Sequence, residues 1–398
     1  MLQFHAKEIL SDYVTAVTWS PDGKTLAISS AAGEVMLGTV GAMNELSLRP
    51  LQTATGKSTD CLSFSSDSQF LAAGGQDGKV RIWRVNSGEL IADLDNKRVW
   101  VDKLAWNHNC NQLAFSMGRC VQVWNAEENT VEVTLNFDSS SVLDLAWHPV
   151  VKYLAISGYQ GVKVWNGEDW EEDPHFLSVP SATGAVSWSP SGQYLACGNM
   201  DNTLIVNEWG NSQPWVMQGF PGKVRQLAWS DKTNSLGAPL LAAASSEGIA
   251  LWERQADESI GWEGWALEVH EKVVRAIAFQ PQTFLLASAS EDGQLCLWYE
   301  AEQLLQILEG VQRGFSCLAW HPDGQFLAAG GDNGELLVWS KSMRGKGFNK
   351  MQKGGNNTNN KVRLEVRTYY ICRVRSAHLT KIRYYYYICR VRSAHLTK

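Results

Sequence analysis

The chain repeats one short pattern of residues eight times, and this repetition limits its possible folds more than any other feature. Each copy has an apolar strand ending in Trp or Phe, a turn, a short run of Leu, Ala and small residues, a second turn, and another apolar strand. The aromatic residue that ends the first strand lies at Trp19, Phe64, Trp106, Trp147, Trp188, Trp229, Phe279 and Trp320. The intervals are 45, 42, 41, 41, 41, 50 and 41 residues. A period of this size predicts one supersecondary unit that packs on copies of itself.

The second copy shows the strands of one unit. Leu62 and Phe64 alternate with polar residues, as in a half-buried strand. A turn and a second short strand follow, and then Asp77-Gly78 gives the signal of a hairpin, because this dipeptide tolerates positive φ. A third strand ends at Trp83, and a fourth is predicted near residues 89–94. Four short antiparallel strands per unit, with no helical period, predict an all-β fold.

Two turns carry the most specific motifs, Trp19-Ser-Pro-Asp-Gly23 and Trp320-His-Pro-Asp-Gly324. With eight copies over about 320 of 398 residues, the chain resembles the WD-repeat family of β-propellers. The resemblance implies four-stranded blades arranged radially, so that each blade covers its neighbours. No copy ends in Trp-Asp, and Gly38 and Asn207 stand where a third-strand Trp is expected. We therefore expect looser packing at these two positions.

Eight copies predict an eight-bladed β-propeller over residues 1–340, with seven blades as the alternative. The last copy lacks a good fourth strand, because the residues after Trp339 are rich in Gly and charge. The segment from Leu2 to Ile9 precedes the first copy and can supply that strand. Such pairing would close the ring and remove an open sheet edge.

Charge divides the chain into two parts. Residues 341–398 hold 15 of the 35 Lys and Arg residues and one of the 41 Asp and Glu residues, so residues 1–340 carry a net charge of −20. An acidic body argues against a nucleic-acid ligand for the propeller. In the basic tail a 13-residue segment, 369–381, recurs identically at 386–398, and we predict that this low-complexity tail is disordered. No apolar run is long enough to cross a bilayer, and the first residues lack the pattern of a signal peptide, so the expected location is cytoplasmic.

One set of residues invites a catalytic interpretation. His270, Ser288, Asp292 and Trp298 match the hydrogen-bonded tetrad of many WD-repeat blades, and the resemblance implies that they link the strands of one blade. A hydrolase using Ser, His and Asp is the disfavoured alternative. His108, Cys110 and Cys120 suggest a metal site by composition, but an intervening strand of about five residues would separate the two cysteines by about 16 Å. We predict no catalytic residue, no metal and no cofactor.

The repeat register predicts a binding site. In propellers of this type, residues that enter the first strand line the opening on one face, which we call the top rim. The candidates are the aromatic residues Tyr13 and Trp100, the acids Asp60 and Asp102, and the bases Lys223, Arg225 and Arg275. In a ring of eight, the acids and the bases lie on opposite sides. Such a rim suits a partner that carries both charge signs.

The chain is therefore predicted to be a non-catalytic scaffold that binds a peptide or a protein loop on its top rim. The alternative is a regulator whose basic tail contacts nucleic acid or membrane while the propeller recruits a partner. An enzyme is not favoured, because Asp60 and Asp102 have no His beside them.

Overall fold

The computed structural model describes residues 1–41, 45–96, 99–138 and 140–341, and the backbone of 370–371 and 374–375. Every regular element in these residues is a β-strand, which confirms the all-β prediction. The fourfold strand pattern of the sequence is present along the whole body. We number the copies of the pattern repeats one to eight.

The strands of repeats one to four, preceded by the N-terminal strand, are β1 (Leu2–Ile9), β2 (Val14–Trp19), β3 (Leu26–Ser30), β4 (Val35–Val40), β5 (Leu46–Gln52), β6 (Thr59–Phe64), β7 (Phe70–Gly75), β8 (Lys79–Arg84), β9 (Leu90–Asp95), β10 (Leu104–Trp106), β11 (Gln112–Met117), β12 (Cys120–Asn125), β13 (Thr130–Asn136), β14 (Asp144–Trp147) and β15 (Tyr153–Asn166). The remaining strands of the body are β16 (His175–Trp188), β17 (Tyr194–Asn199), β18 (Leu204–Glu208), β19 (Trp215–Met217), β20 (Val224–Thr233), β21 (Pro239–Ser245), β22 (Gly248–Arg254), β23 (Trp262–Leu267), β24 (Val274–Phe279), β25 (Leu286–Ser290), β26 (Leu295–Tyr299), β27 (Gln303–Leu308), β28 (Phe315–Trp320), β29 (Phe326–Gly331) and β30 (Glu335–Lys341).

The described strands form seven antiparallel sheets, so by sheet count the propeller has seven blades. Our first prediction of eight separate blades is wrong, and the alternative of seven agrees with the structure. Repeats one, two, three, six, seven and eight each build one sheet, whereas repeats four and five share a single seven-stranded sheet. All eight copies are therefore folded, and the difference lies in how two of them are joined.

The strand β16 joins repeats four and five. Its first half pairs with β15 from Val164↔His175 to Gly161↔Ser178, and its second half pairs with β17 from Thr183↔Asn199 to Trp188↔Leu195. The pair Tyr159↔Ala182 keeps the connecting residues in the ladder. A connection that leaves the ladder in the other repeats is here part of one 14-residue strand.

The N-terminal strand closes the ring, as the sequence predicts. β1 pairs antiparallel with β30, from Leu2↔Lys341 to Ile9↔Glu335. The side chain of Gln306, on the outer strand of repeat seven, also accepts from Leu2 N at 2.9 Å and donates to Leu2 O at 2.8 Å. Leu2 and Ala6 are buried. The beginning and the end of the propeller thus share one sheet.

The first strands of the repeats line the centre of the ring and are linked by tryptophan side chains. Each first strand packs on the next, and the last, β28, packs on β2. Six first-strand Trp residues donate an indole N–H to a backbone carbonyl in the preceding repeat, at 3.0 to 3.3 Å: Trp19, Trp106, Trp147, Trp188, Trp229 and Trp320. Repeats two and seven have Phe64 and Phe279 instead, which have no donor.

The two positions without a third-strand Trp are filled differently. In repeat one, a Cβ on Gly38 would lie 2.9 Å from Leu48 Cδ2, so leucines of β5 occupy the space. In repeat five, Asn207 lines a cavity of about 560 Å³. Trp209, two residues later, packs edge-on against Trp188 at 5.1 Å. The expectation of looser packing thus holds at Asn207.

Most of the basic tail lies outside the described residues, so its predicted disorder stays a prediction. Two dipeptides of its first 13-residue copy are described. β31 (Tyr370–Ile371) pairs with β23, and β32 (Val374–Arg375) pairs with β19. Both are added to the outer strands of sheets in the body.

Candidate functional site

A β-bulge recurs where the first strand begins, and it places the residues of the predicted top rim. In six repeats the pairing between the first and second strands skips one residue of the first strand. The skipped residues are Thr15, Asp60, Gly184, Arg225, Arg275 and Ser316. These are the positions that the repeat register selects. In repeats three and four, Asp102 and Leu143 precede the shorter strands β10 and β14. A bulged residue leaves the ladder and turns its side chain toward a new direction.

Two of the bulged residues bind the neighbouring repeat. Ser316 Oγ donates to Val14 O at 2.6 Å, and Thr15 Oγ1 donates to Thr59 O at 2.5 Å. Their hydroxyl groups therefore hold the first strands of repeats eight, one and two together. The other bulged residues include the charged Asp60, Arg225 and Arg275, which determine the charge of the rim surface.

The acids Asp60 and Asp102 lie close enough to influence each other, and we call them the acidic pair. Partial burial raises the pKa of Asp102, the negative charge of Asp60 raises it further, and Lys103 lowers it. Ser58 donates its hydroxyl hydrogen to Asp60. Lys103 is itself engaged by Asp144, with Nζ and Oδ1 3.2 Å apart. The acidic pair thus presents a surplus of negative charge.

Trp100 stands on the rim beside the acidic pair, with 55% of its surface exposed. Its neighbour Val101 is fully buried and donates its N–H to Gly75 O at 3.1 Å. The buried neighbour fixes the backbone from which the exposed indole extends. An exposed large aromatic side chain on a fixed backbone is typical of binding surfaces.

The three predicted bases line one cavity of about 230 Å³, which we call the basic cavity. Lys223 and Arg225 come from the start of β20, and Arg275 comes from the bulge of β24. Arg275 forms an ion pair with Glu291, whereas no acidic side chain in the described part of the chain pairs with Lys223 or Arg225. The cavity therefore keeps at least two uncompensated cations.

Tyr13 is half-buried and belongs to the same side of the rim as Arg275. Burial raises the pKa of its phenol, and the charges of Arg275 and Asp332 act on it in opposite directions. Burial also raises the pKa of Asp332, Arg275 lowers it, and Glu291 raises it. The structure thus groups Tyr13 with Arg275 and two acids, apart from the acidic pair.

Sequence reasoning missed Glu291, Asp332 and Met200, which also line the rim. They occupy the same place in repeats seven, eight and five, directly after the second strand. Reading that position with the same period would have found them. Lys103 and Asp144, which form an ion pair, also share one repeat position, because each lies three residues before its first-strand Trp, so the same period would have found both.

The four residues of the predicted tetrad are in contact in repeat seven. His270 Nδ1 lies 3.0 Å from Asp292 Oδ2, and its Nε2 lies 2.8 Å from Ser288 Oγ. Trp298 Nε1 donates to the same hydroxyl at 2.9 Å. Burial lowers the pKa of His270, although Asp292 opposes the shift. All four groups satisfy one another, an arrangement that supports the proposal of a structural role.

Three further observations concern metal ligands, cysteine thiols and membrane-spanning helices. In the part of the chain that the structure describes, no three His, Cys, Asp or Glu side chains converge as ligands of a metal ion. The six cysteines described there are free thiols, and burial raises the pKa of Cys197 and Cys296 to about 12. No helix among the described residues could span a membrane.

The closed ring of strands, with bulged residues around one opening, defines a β-propeller. Five segments match the family described as WD domain, G-beta repeat: residues 3–37, 48–84, 177–206, 263–299 and 302–340. The chain belongs to the WD-repeat β-propellers.

Relatives share only part of this chain. A stretch of 88 residues is 31% identical to "Probable cytosolic iron-sulfur protein assembly protein 1" of Kluyveromyces lactis, covering 19% of this chain and 26% of that protein. Another of 86 residues is 37% identical to "WD repeat-containing protein 82" of Drosophila melanogaster, covering 20% of this chain and 26% of that protein. The chain thus spans about a quarter of the length of the curated relatives that it matches.

Proposed function

We propose that this propeller is a non-catalytic scaffold that binds a peptide or a protein loop on its top rim. The observation that carries the proposal is the separation of charge around one opening. The acidic pair lies on repeats two and three, and the basic cavity lies on repeats six and seven. In the closed ring of first strands these positions are four repeats apart, on opposite sides of the centre.

Rigid display explains how such a rim would bind. Bulges and buried neighbours fix the backbone of the rim residues, so little conformational freedom is lost when a partner docks. Complementary charges orient the partner and speed its approach, and Trp100 supplies apolar contact area beside them. A segment with a basic residue at one end and an acidic group at the other fits this layout.

A cytoplasmic location is part of the proposal. It is supported by the printed name of the Kluyveromyces lactis relative, which describes a cytosolic protein.

Affinity capture from native cell extract tests the scaffold function. The full chain serves as bait beside a rim variant that carries Asp60→Asn, Asp102→Asn, Trp100→Ala, Lys223→Gln and Arg225→Gln. We expect proteins that the wild-type bait holds and the rim variant loses. Thermal unfolding of both baits must show the same folded state.

A matched control carries Lys24→Gln, Asp323→Asn and Tyr299→Ala. These substitutions remove two charges and one ring from exposed side chains that lie away from the rim. This control is expected to keep the same partners as the wild type. Identical partner sets for all three baits would exclude the top rim as the binding site.

The basic tail supports a second candidate function, contact with nucleic acid or an anionic membrane. Its observation is the 15 Lys and Arg residues against one acid in residues 341–398. Replacing the tail's Lys and Arg residues with Gln should abolish any steep salt dependence of binding to duplex DNA or to vesicles containing phosphatidylserine. Equal binding by the variant would contradict this function.

A further inference from the structure

The basic cavity concentrates positive charge on a body that is strongly acidic. Residues 1–340 carry a net charge of −20, yet three cationic side chains line one cavity of about 230 Å³. A long polyanion approaching this body would be repelled, because the surrounding field is negative. A small anion that reaches only the cavity meets the local cations instead.

Of the three cations of the basic cavity, one is paired with an acid among the described residues, and the other two can bind an anion. Glu291 pairs with Arg275 and holds that guanidinium beside the cavity. Lys223 and Arg225 have no acidic partner among the described side chains, so in that part of the chain no carboxylate competes with a ligand for their donors. A guanidinium presents parallel N–H groups that match the oxygens of a carboxylate or a phosphate, and an ammonium adds a compact charge.

The basic cavity is large enough for an anionic side chain. Its volume of about 230 Å³ accommodates one tetrahedral or planar anionic group together with water, and it is open to solvent on one side. A single anionic side chain of a docked segment can therefore enter it.

Gly184 keeps the basic cavity open on the side of repeat five. It is the bulged residue of that repeat, at the position that carries Arg225 and Arg275 in repeats six and seven. A Cβ at Gly184 would lie 2.8 Å from Met200 Cε, which also lines the cavity. A side chain at position 184 would therefore crowd Met200 and narrow the space.

We propose that the basic cavity binds one anionic side chain of the partner, either the phosphate of a phosphorylated serine or threonine or the carboxylate of Asp or Glu. This inference rests on the proposed function, since it names the chemistry that one half of the rim recognises. The acidic pair would then receive the basic end of the same segment.

Three peptides and the purified full chain test this site. The probes are acetyl-Ala-Gly-X-Gly-Ala-amide, in which X is phosphoserine, glutamate or serine. Binding is followed through the Nε–Hε signal of Arg225 in ¹⁵N-arginine-labelled protein. We expect saturable shifts with phosphoserine, with glutamate or with both, and none with serine. The relative affinities decide whether the phosphate or the carboxylate is the better ligand.

Three variants separate the basic cavity from other basic groups, including the tail. Lys223→Gln should weaken binding of the anionic peptide at least about tenfold, because one charge-assisted hydrogen bond is lost. Gly184→Val should also weaken binding while every charge is kept. Lys24→Gln removes an exposed cation at the other end of the first strands and should change nothing.

The proposal is overturned if neither anionic peptide shifts the Arg225 signal, or if Lys223→Gln binds as well as the wild type. This result would leave the scaffold function standing, because the capture experiment tests that function separately. Conversely, if an anionic peptide binds but the cell extract yields no partner, the result would support the anion site and argue against the scaffold function.

Discussion

A single indole N–H can hold two repeats together, and the first-strand tryptophans show how. In repeat four, Trp147 is buried and its Nε1 donates to Ala105 O at 3.0 Å in repeat three. The acceptor is the backbone carbonyl of a half-buried residue at the centre of the ring. Such a bond stabilises the interface because it ties the first strands of two repeats together.

Replacing Trp147 with Phe is expected to lower the free energy of unfolding by about 0.5 to 1.5 kcal/mol more than replacing Trp124 with Phe. Trp124 is a suitable control, because it is equally large and buried but its Nε1 has no hydrogen-bond partner among the described residues. Urea unfolding of both variants measures the difference. Equal losses would show that packing alone accounts for the first-strand tryptophans.

His270 makes stability depend on pH. Burial holds its pKa below the ordinary value of 6.5, so the unfolded chain takes up this proton at a higher pH than the folded chain. The stabilisation from neutral His270 is therefore fully present above about pH 6.5 and is lost as the pH falls through the lowered folded pKa.

We expect His270→Gln to reduce the fall in melting temperature between pH 7.5 and pH 5.5. The variant keeps His108 and His148, whose pKa values are also lowered by burial, so the difference isolates His270. At pH 7.5 the variant should be less stable by about 1 to 3 kcal/mol, because Ser288 and Asp292 each lose a partner. The same pH dependence in both proteins would contradict this prediction.

At the scale of strands, β1 is the element on which closure of the ring depends. It covers the edge of β30, buries Leu2 and Ala6, and is clamped by Gln306. Without it, repeat eight would expose an unpaired strand edge, which is a template for association.

Deleting residues 2–9 should destabilise the protein by at least about 3 kcal/mol, from lost apolar burial alone, and should promote self-association. Gln306→Ala should cause a smaller loss, because the ladder between β1 and β30 remains. Thermal unfolding and size-exclusion chromatography check both expectations. An unchanged melting temperature after the deletion would show that the ring is held shut by other contacts.

The spacing of aromatic residues is enough to predict the strands and the closing role of residues 2–9, because both follow from a local pattern with a fixed period. The number of sheets is not predictable in this way. Residues 180–183 include Pro180 and Ser181 and resemble a turn, but pairing of Ala182 with Tyr159 extends them into β16. A contact made only in the folded chain overrides the local preference there.

At the scale of the whole molecule, the sequence predicts which residues lie on the rim, but it does not predict which of their charges form ion pairs. The repeat register selects Asp60, Arg225 and Arg275, and each of them is a bulged residue in the structure. The partner of Arg275, Glu291, comes from the turn after the second strand of the same repeat, and only the folded blade brings the two side chains together. Which charges remain uncompensated is therefore a property of the assembled ring.

The shared strand β16 has a consequence for how the propeller opens. In an array of independent repeats, each unit contacts only its neighbours and can separate from them one at a time. Because β16 belongs to the ladders of both β15 and β17, repeats four and five cannot lose their order separately.

These two repeats should behave as one cooperative unit in native-state hydrogen exchange. We expect amides of β15 and β17 to exchange with the same opening free energy and the same denaturant dependence. Amides of β7 and β11, in repeats two and three, should show two distinct values. The shared strand would then mark a region that unfolds all at once, within a ring whose other repeats loosen one by one.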